Sequence, residues 1–176
     1  MEEIALDSYY VLGQLVEAVN MLSRHPKAYL LLPEIRSNLV MAKSNAKSKE
    51  DVAGIPGRLT EVFQKITAPA YPAWGASRFT ASILLKIMEY DSSRRSVMEI
   101  KYSEKLVELI KEDGIEIEHI DIGTKTLDDV FKKFTNNKLP VVFYTEGGFA
   151  REGAIIVTGQ NAVEVAKLVL RIADQI

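Results

Sequence analysis

The run Met98-Glu99-Ile100-Lys101-Tyr102-Ser103-Glu104-Lys105-Leu106-Val107-Glu108-Leu109-Ile110-Lys111-Glu112-Asp113-Gly114-Ile115 decides the fold class. Met98 to Tyr102 has the composition of a strand. Ser103 is a good N-cap, because its hydroxyl can take an amide hydrogen that the first helical turn leaves unpaired. The helix it opens runs through Lys111 and stops at Gly114, since glycine tolerates the left-handed backbone that ends helices. A second strand, Ile115 to Ile122, follows at once. Working outward towards the C-terminus, the sequence predicts a helix over Thr126 to Asn136 and a strand over Leu139 to Thr145. A turn at Gly147-Gly148 leads to a strand over Ala154 to Thr158. A last helix is opened by the capping box Asn161/Glu164 and runs to about Ala173. Strand and helix alternate, which predicts an α/β protein with helices on both faces of a sheet.

The N-terminal half is less regular. Asp7-Ser8 has the character of a cap, and Val11, Leu12, Leu15, Val16, Val19 and Leu22 then recur at helical spacing up to Arg24. His25-Pro26 ends that helix, because a residue before proline is pushed out of the helical region. Asn38 to Ala42 reads as a short strand, Lys43 to Gly57 as a polar loop, and Arg58 to Ile66 as one strand. An irregular loop holds Pro69, Pro72 and Gly75 before helix resumes at Ser77. No repeat, low-complexity tract or linker interrupts the chain. The expectation is a single domain over 1–176, with an N-terminal helix in 1–28 and a core in 29–176.

Composition narrows the function classes. The 176 residues carry 22 Lys and Arg against 24 Asp and Glu, a formal charge of −2. That balance lacks the basic face that nucleic-acid binding uses to displace counterions, so no direct nucleic-acid contact is expected. No apolar run approaches the roughly 18–20 residues that cross a bilayer, and the start Met1-Glu2-Glu3 has the wrong charge for a signal peptide. The expected compartment is the cytoplasm. With no cysteine, thiol catalysis, disulfides and Cys-based metal sites are excluded; with two histidines, so is a three-histidine metal site. His25 reads as a helix-end cation and His119 as half-buried on its strand. Arg94-Arg95 reads as a solvated face.

Three loops place glycines, hydroxyls and arginines at strand ends. Ile55-Pro56-Gly57-Arg58 puts a guanidinium at a strand start. Trp74-Gly75-Ala76-Ser77-Arg78-Phe79 is a small-residue turn into a helix, whose unpaired amides and partial positive charge suit an anion. Thr145-Glu146-Gly147-Gly148-Phe149-Ala150-Arg151 contains paired glycines that would let a ligand approach the backbone, or would simply make a hairpin.

Several pieces follow one another in the order of one family. They are Leu32-Pro33-Glu34-Ile35 with Asn38, Ala46-Lys47-Ser48, Glu50-Asp51-Val52-Ala53, Pro56-Gly57-Arg58-Leu59, Gly75-Ala76-Ser77-Arg78, Lys101-Tyr102-Ser103-Glu104 and Gly147-Gly148. From about Leu30 to Arg171 the chain resembles the ThiN domain, the archaeal type of thiamine-phosphate synthase. That domain is also found fused behind a hydroxymethylpyrimidine-phosphate kinase or behind a DNA-binding segment in archaeal thiamine regulators. The resemblance implies a three-layer α/β/α sandwich with a mixed sheet, similar to the class II aldolase fold, and makes a homodimer an expectation. Its reaction joins a pyrimidine carried on pyrophosphate to the nitrogen of a thiazole phosphate. Stabilising the departing pyrophosphate and aligning the rings are then the main tasks, with Mg2+ sharing the charge if the domain is catalytic.

By that resemblance Arg58 would act on the leaving group, and Gly75, Ala76, Ser77 and Arg78 would cradle a phosphate. Asn38, Lys47 and Ser48, with Gly147 and Gly148, would line the same site. The sequence departs from the family pattern at four places. Phe79 stands where the family has a histidine thought to be catalytic. The charged run near Asp121 is reduced to Ile122-Gly123-Thr124-Lys125, Asp-Arg before the glycine pair becomes Thr145-Glu146, and the stretch after it becomes Ala150-Arg151-Glu152-Gly153. Binding features persist better than catalytic ones. The expected function is therefore binding of thiamine phosphate or its phosphorylated precursors with weakened or lost catalysis, the alternative being an active synthase. A sugar-phosphate aldolase would need a histidine-rich metal site that this chain cannot supply.

Overall fold

The computed structural model describes residues 2–136, 138–148 and 151–176. Five α-helices occupy Glu2–Arg24 (α1), Phe79–Tyr90 (α2), Glu104–Glu112 (α3), Leu127–Phe131 (α4) and Ala162–Asp174 (α5). Nine strands follow in chain order: Leu39–Ala42 (β1), Val52–Gly54 (β2), Thr60–Val62 (β3), Lys65–Thr67 (β4), Ala73–Trp74 (β5), Ser96–Lys101 (β6), Ile117–His119 (β7), Val142–Thr145 (β8) and Ala154–Gly159 (β9). Seven of them form one sheet in the order β5-β2-β1-β6-β9-β8-β7. Its pairs are antiparallel except β7 with β8, so the sheet is mixed. Those two strands are the ones joined by the crossover that contains α4, as a parallel pair requires.

Side chains alternate across the sheet and sort into two cores. Leu39, Met41, Met98, Ile100, Val142, Ile155 and Val157 meet the apolar stripes of α1, α3 and α5 on one face. Val40, Ala42, Val97, Phe143 and Ile156 meet Ala81, Ile83, Leu84 and Ile87 of α2, with Val130 and Phe131 of α4, on the other. The result is helix, sheet, helix. Three caps follow the sequence: Ser103 Oγ accepts from Leu106 N at 3.1 Å, Thr126 Oγ1 from Asp129 N at 3.2 Å, and Asn161 Oδ1 from Glu164 N at 2.8 Å. The Asn161/Glu164 box is half formed, because Glu164 Oε2 takes the Gln160 amide at 2.6 Å. No described helix is long and apolar enough to cross a membrane.

The structure corrects several expectations. The first helix begins at Glu2, so Asp7 caps nothing; its carboxylate accepts Ser44 N at 2.8 Å and meets Arg95 Nη2 at 2.6 Å. The expected single strand Arg58–Ile66 is a separate two-stranded hairpin, β3 and β4, turning at Phe63 and Gln64 with φ of 50° and 61°. Such a turn needs two left-handed residues, and Phe-Gln gives none of the usual asparagine or glycine signal. The polar loop 43–57 contains β2, and the proline-rich loop contains β5. The strand expected over Ile115–Ile122 shortens to β7. The helix expected from Thr126 shortens to α4 plus a 3-10 turn at Lys132–Phe134. His119 is exposed, edge-on to Tyr144 at 5.2 Å between ring centroids. His25, just past the end of α1, meets Asp174 at 3.1 Å.

Arg94-Arg95 is not a solvated face. The Arg94 side chain is only 11% exposed and binds Asp91 at 3.1 Å, Leu139 O at 2.7 Å, Thr158 Oγ1 at 3.1 Å and Pro140 O. It ties the turn before β6 to the approach to β8. Arg94→Ala would strand two carbonyls, and unfolding should become easier by about 2 kcal/mol. Denaturant titration checks this; a loss below about 0.5 kcal/mol, the scale of ordinary surface changes, would refute it.

Candidate functional site

The site starts from Asn38, just before β1. Its side-chain amide is buried and clasps one residue in both directions, donating to Ile55 O at 3.0 Å and accepting Ile55 N at 2.9 Å. That clasp anchors the turn Ile55-Pro56-Gly57-Arg58, which is closed by Arg58 N to Ile55 O at 3.1 Å. Proline second and a glycine at φ 75° third are what a type II turn demands. Arg58 then sits at φ 68°, a region that costs a non-glycine residue energy. It is held there by the reciprocal Leu59–Ser37 backbone pair (2.7 and 3.3 Å) and by its own guanidinium, which donates to Ile35 O at 2.9 Å. Arg36, on the opposite side of that pair, has φ 71°. Two arginines in left-handed backbone thus flank one bridge between the segments.

Helix α2 supplies the floor. Gly75, at φ 70°, turns the chain out of β5 while its amide bonds Val52 O at 2.9 Å. The first helical bond is Ser82 N to Arg78 O at 3.2 Å, so the amides of Phe79, Thr80 and Ala81 have no carbonyl partner within the helix. The helix start faces the ends of β6, β8 and β9.

Between these elements lies a cavity of about 490 Å3, bounded by Arg36, Asn38, Arg58, the 76–80 segment, Glu99 and Arg151 among others. It contains four guanidiniums (Arg36, Arg58, Arg78, Arg151) and two carboxyl groups (Glu99, Glu152). Arg151 donates to Ile122 O at 2.7 Å and lies 5.9 Å from the Phe79 ring centre. Both Glu152 oxygens accept main-chain amides, from Glu34 at 3.1 Å and Ile35 at 3.3 Å. Among the described residues Arg36 and Arg78 make no side-chain hydrogen bond or ion pair, although the charge of Arg78 is felt by Glu50. An open helix start beside free guanidiniums can receive a phosphate or diphosphate.

Glu99 is different. It lies on the α2 face of β6 and is part-buried; burial pushes its carboxyl up to about 7, against smaller opposing pulls from Thr80 and Arg58. Thr80 Oγ1 donates to Oε2 at 3.3 Å, while Oε1 has no partner.

Of the residues read from the sequence, Asn38, Arg58, Ala76, Ser77, Arg78 and Phe79 come together around this cavity. Gly75 is one residue outside it. Lys47 and Ser48 do not line it: their amides bind Asp51 at 3.0 and 3.3 Å, forming a small cap next to Glu50, which senses the charge of Arg78. Gly147 and Gly148 do not line it either. A Cβ on Gly147 would strike the chain's own backbone, at 2.5 Å from Arg151 O, and Gly148 pairs with Arg151 (3.0 Å in both directions). The intervening Phe149 and Ala150 lie outside the described residues. Sequence reading missed Arg36, Thr80 and Glu99. The three altered stretches at 122–123, 145 and 151–153 all meet at this cavity. Among the described residues no group of three His, Asp or Glu side chains is arranged to hold a metal.

The family model described as "Thiamine-phosphate synthase ThiN" matches residues 14–171. The thiamine-phosphate synthase ThiN of Methanothermobacter thermautotrophicus is 33% identical over 167 residues, covering 88% of each chain. The bifunctional thiamine biosynthesis protein ThiDN of Methanocaldococcus jannaschii is 28% identical over 80% of this chain but only 36% of its own length. A crystal structure of the C-terminal domain of phosphomethylpyrimidine kinase superposes with TM-score 0.82 at 24% identity, covering 94% of this chain and 99% of that one. An aldolase II superfamily protein from Pseudomonas syringae matches in fold, with TM-score 0.51 at 9% identity, over 93% of this chain and 74% of that one. One of these structures is the C-terminal domain of a kinase, and ThiDN is a longer chain of which the match covers about a third.

Proposed function

Because this chain belongs to the ThiN thiamine-phosphate synthase family, we propose that its arginine-rich cavity binds thiamine phosphate or the phosphorylated thiazole and pyrimidine precursors, with catalysis weakened or lost. The observation that carries the reading is the open start of α2 beside Arg58 and Arg78 in one cavity of about 490 Å3. Backbone amides and guanidiniums there would take the phosphate, and the rest of the cavity would take the rings. Phe79 lies at that helix start, and its side chain can neither move a proton nor donate a hydrogen bond to a leaving group.

In the family reaction the thiazole nitrogen attacks the pyrimidine's methylene carbon as pyrophosphate leaves, and charge stabilisation at the leaving group lowers the barrier. Arg58, which Ile35 O fixes beside the cavity, would serve that task, and this supports a second reading, an active synthase that works without the histidine. A protein-built magnesium cage does not fit the cavity: Glu152 is occupied by two amides and Glu99 is the one carboxyl with a free oxygen. A sensor of this kind would serve as the ligand-reading part of a longer chain, joined to a kinase or a DNA-binding segment.

Calorimetric titration with thiamine phosphate tests the binding. Arg58→Ala and Arg78→Ala should each weaken it by about 10–100-fold, the scale of one charge-assisted contact. No heat and no thermal shift with the wild-type protein would overturn the reading. Rapid formation of thiamine phosphate from the two precursors, abolished in Arg58→Ala, would establish the second.

A further inference from the structure

We propose that Glu99 reads the ring end of the ligand, its unpaired carboxyl oxygen taking a hydrogen bond from a flat heterocycle that carries an exocyclic amine, while the arginines and the start of α2 hold the phosphate. The inference rests on the phosphorylated-ligand reading above and names the part of the ligand that reading leaves open.

Three observations carry it. First, Glu99 is a part-buried residue lining the cavity whose Oε1 is shut from solvent without a partner, and a buried acceptor is costly to leave unmade. Second, the protein does not pair it internally. Arg58 is near enough to influence it electrostatically but gives a hydrogen to Ile35 O, and Thr80 reaches only Oε2. Third, the cavity offers apolar surface as well as charge. Arg78 and the helix amides favour an anion, which a carboxylate would repel, so Glu99 suits a part of the ligand without negative charge. Ile83, Ile122 and Ile156 line the same cavity and give a flat ring an apolar bed.

An aminopyrimidine-type edge matches this site. The exocyclic N–H donates to the carboxyl, and when Glu99 is protonated its O–H donates to the adjacent ring nitrogen. A carboxyl titrating near neutrality can use either form. The charged groups bordering the cavity with it are Arg36 and Arg58 from the segments beside β1, Arg78 from α2, and Arg151 and Glu152 ahead of β9. Lys101 lies on the same face of its own strand.

The test is calorimetry on the wild-type protein, Glu99→Gln and Glu99→Leu with three probes: thiamine phosphate, thiazole phosphate, which has the phosphate without the aminopyrimidine, and inorganic pyrophosphate. Glu99→Leu should weaken thiamine phosphate by about 10–100-fold while binding pyrophosphate and thiazole phosphate no more weakly than wild type. The ratio of thiamine phosphate to thiazole phosphate affinity should change between pH 6 and pH 8 in the wild-type protein and stay flat in Glu99→Gln. Thermal melts should show both variants folded. Unchanged thiamine phosphate binding in Glu99→Leu, or equal loss of all three probes, overturns the inference alone. Wild-type protein that binds pyrophosphate but not thiamine phosphate overturns the function reading and the inference with it.

Discussion

Phe79→His should raise the rate of thiamine phosphate formation by about 10²–10⁴-fold, the usual worth of one well-placed proton-transfer group. The position is favourable. Residue 79 is the first of α2, half exposed (51%) on the cavity side, beside the 76–78 segment and Arg151. A histidine at a helix start is kept neutral by the positive end of the dipole, so the imidazole can donate one hydrogen bond and accept another near pH 7. Losing the contact between the Arg151 guanidinium and the aromatic face should cost ligand affinity little, since exposed contacts of that type are worth about 0.5–1 kcal/mol. The gain should therefore appear in kcat, and Arg58→Ala added to Phe79→His should cancel it. Single-turnover assays with both precursors check this. A wild-type rate already equal to that of the variant would mean that the chain makes its product without a proton-transfer group at residue 79.

The half of the fold after residue 96 was legible because its signals are local. Ser103, Thr126 and Asn161 cap the helices that the sequence predicts, and each contact is made by a residue three positions away. The N-terminal half depends on partners far along the chain. β2 and β5 have three and two residues, too few to show a period, and they exist because β1 and then β2 offer an edge to pair with. Asp7 reads as a cap by type, but its partner, Arg95, is 88 residues away. Arg94 reads as surface because charge usually is; what draws it inward is a set of main-chain acceptors around 139–140, visible only after folding.

The helix-start half of the candidate site was equally legible, since Gly-Ala-Ser-Arg before a helix carries its physical meaning in sequence. Pro56-Gly57 likewise announces the turn that sets Arg58. Arg36 was not, because its left-handed backbone follows from the Ser37–Leu59 bridge across the fold. Glu99 was hidden by strand alternation: between Met98 and Ile100 an acidic residue looks like the solvent side of a half-buried strand. Only the position of α2 over that face turns it into the wall of a cavity. At Gly147 the sequence left two readings, ligand approach or a hairpin, and the missing side chain makes room for residues 151–153 of the same chain.

The same carboxyl gives a large pH dependence of stability. Glu99 is raised from 4.5 to about 7 in the folded protein by burial. Between those values the native state holds a proton that the unfolded chain has released. Stability from this group is thus complete below about pH 4.5 and is lost as pH rises through 7, a total of about 3 kcal/mol. Glu99→Gln has no proton to lose. Denaturant titrations should find the variant and the wild type close at pH 4.5 and the variant more stable by about 3 kcal/mol at pH 8.5. Asp51, held below its ordinary value first by the Lys47 amide, pulls in the opposite direction by losing its contribution in acid, but it is common to both proteins and cancels in the difference. A gap that does not widen between pH 5 and 8.5 would mean that water or an internal donor satisfies the charged carboxylate. A saturating ring-bearing ligand should narrow the gap by supplying that donor itself, whereas pyrophosphate, which has no such group, should leave it wide. The cost of the carboxylate in the empty cavity would then be part of what thiamine phosphate relieves on binding.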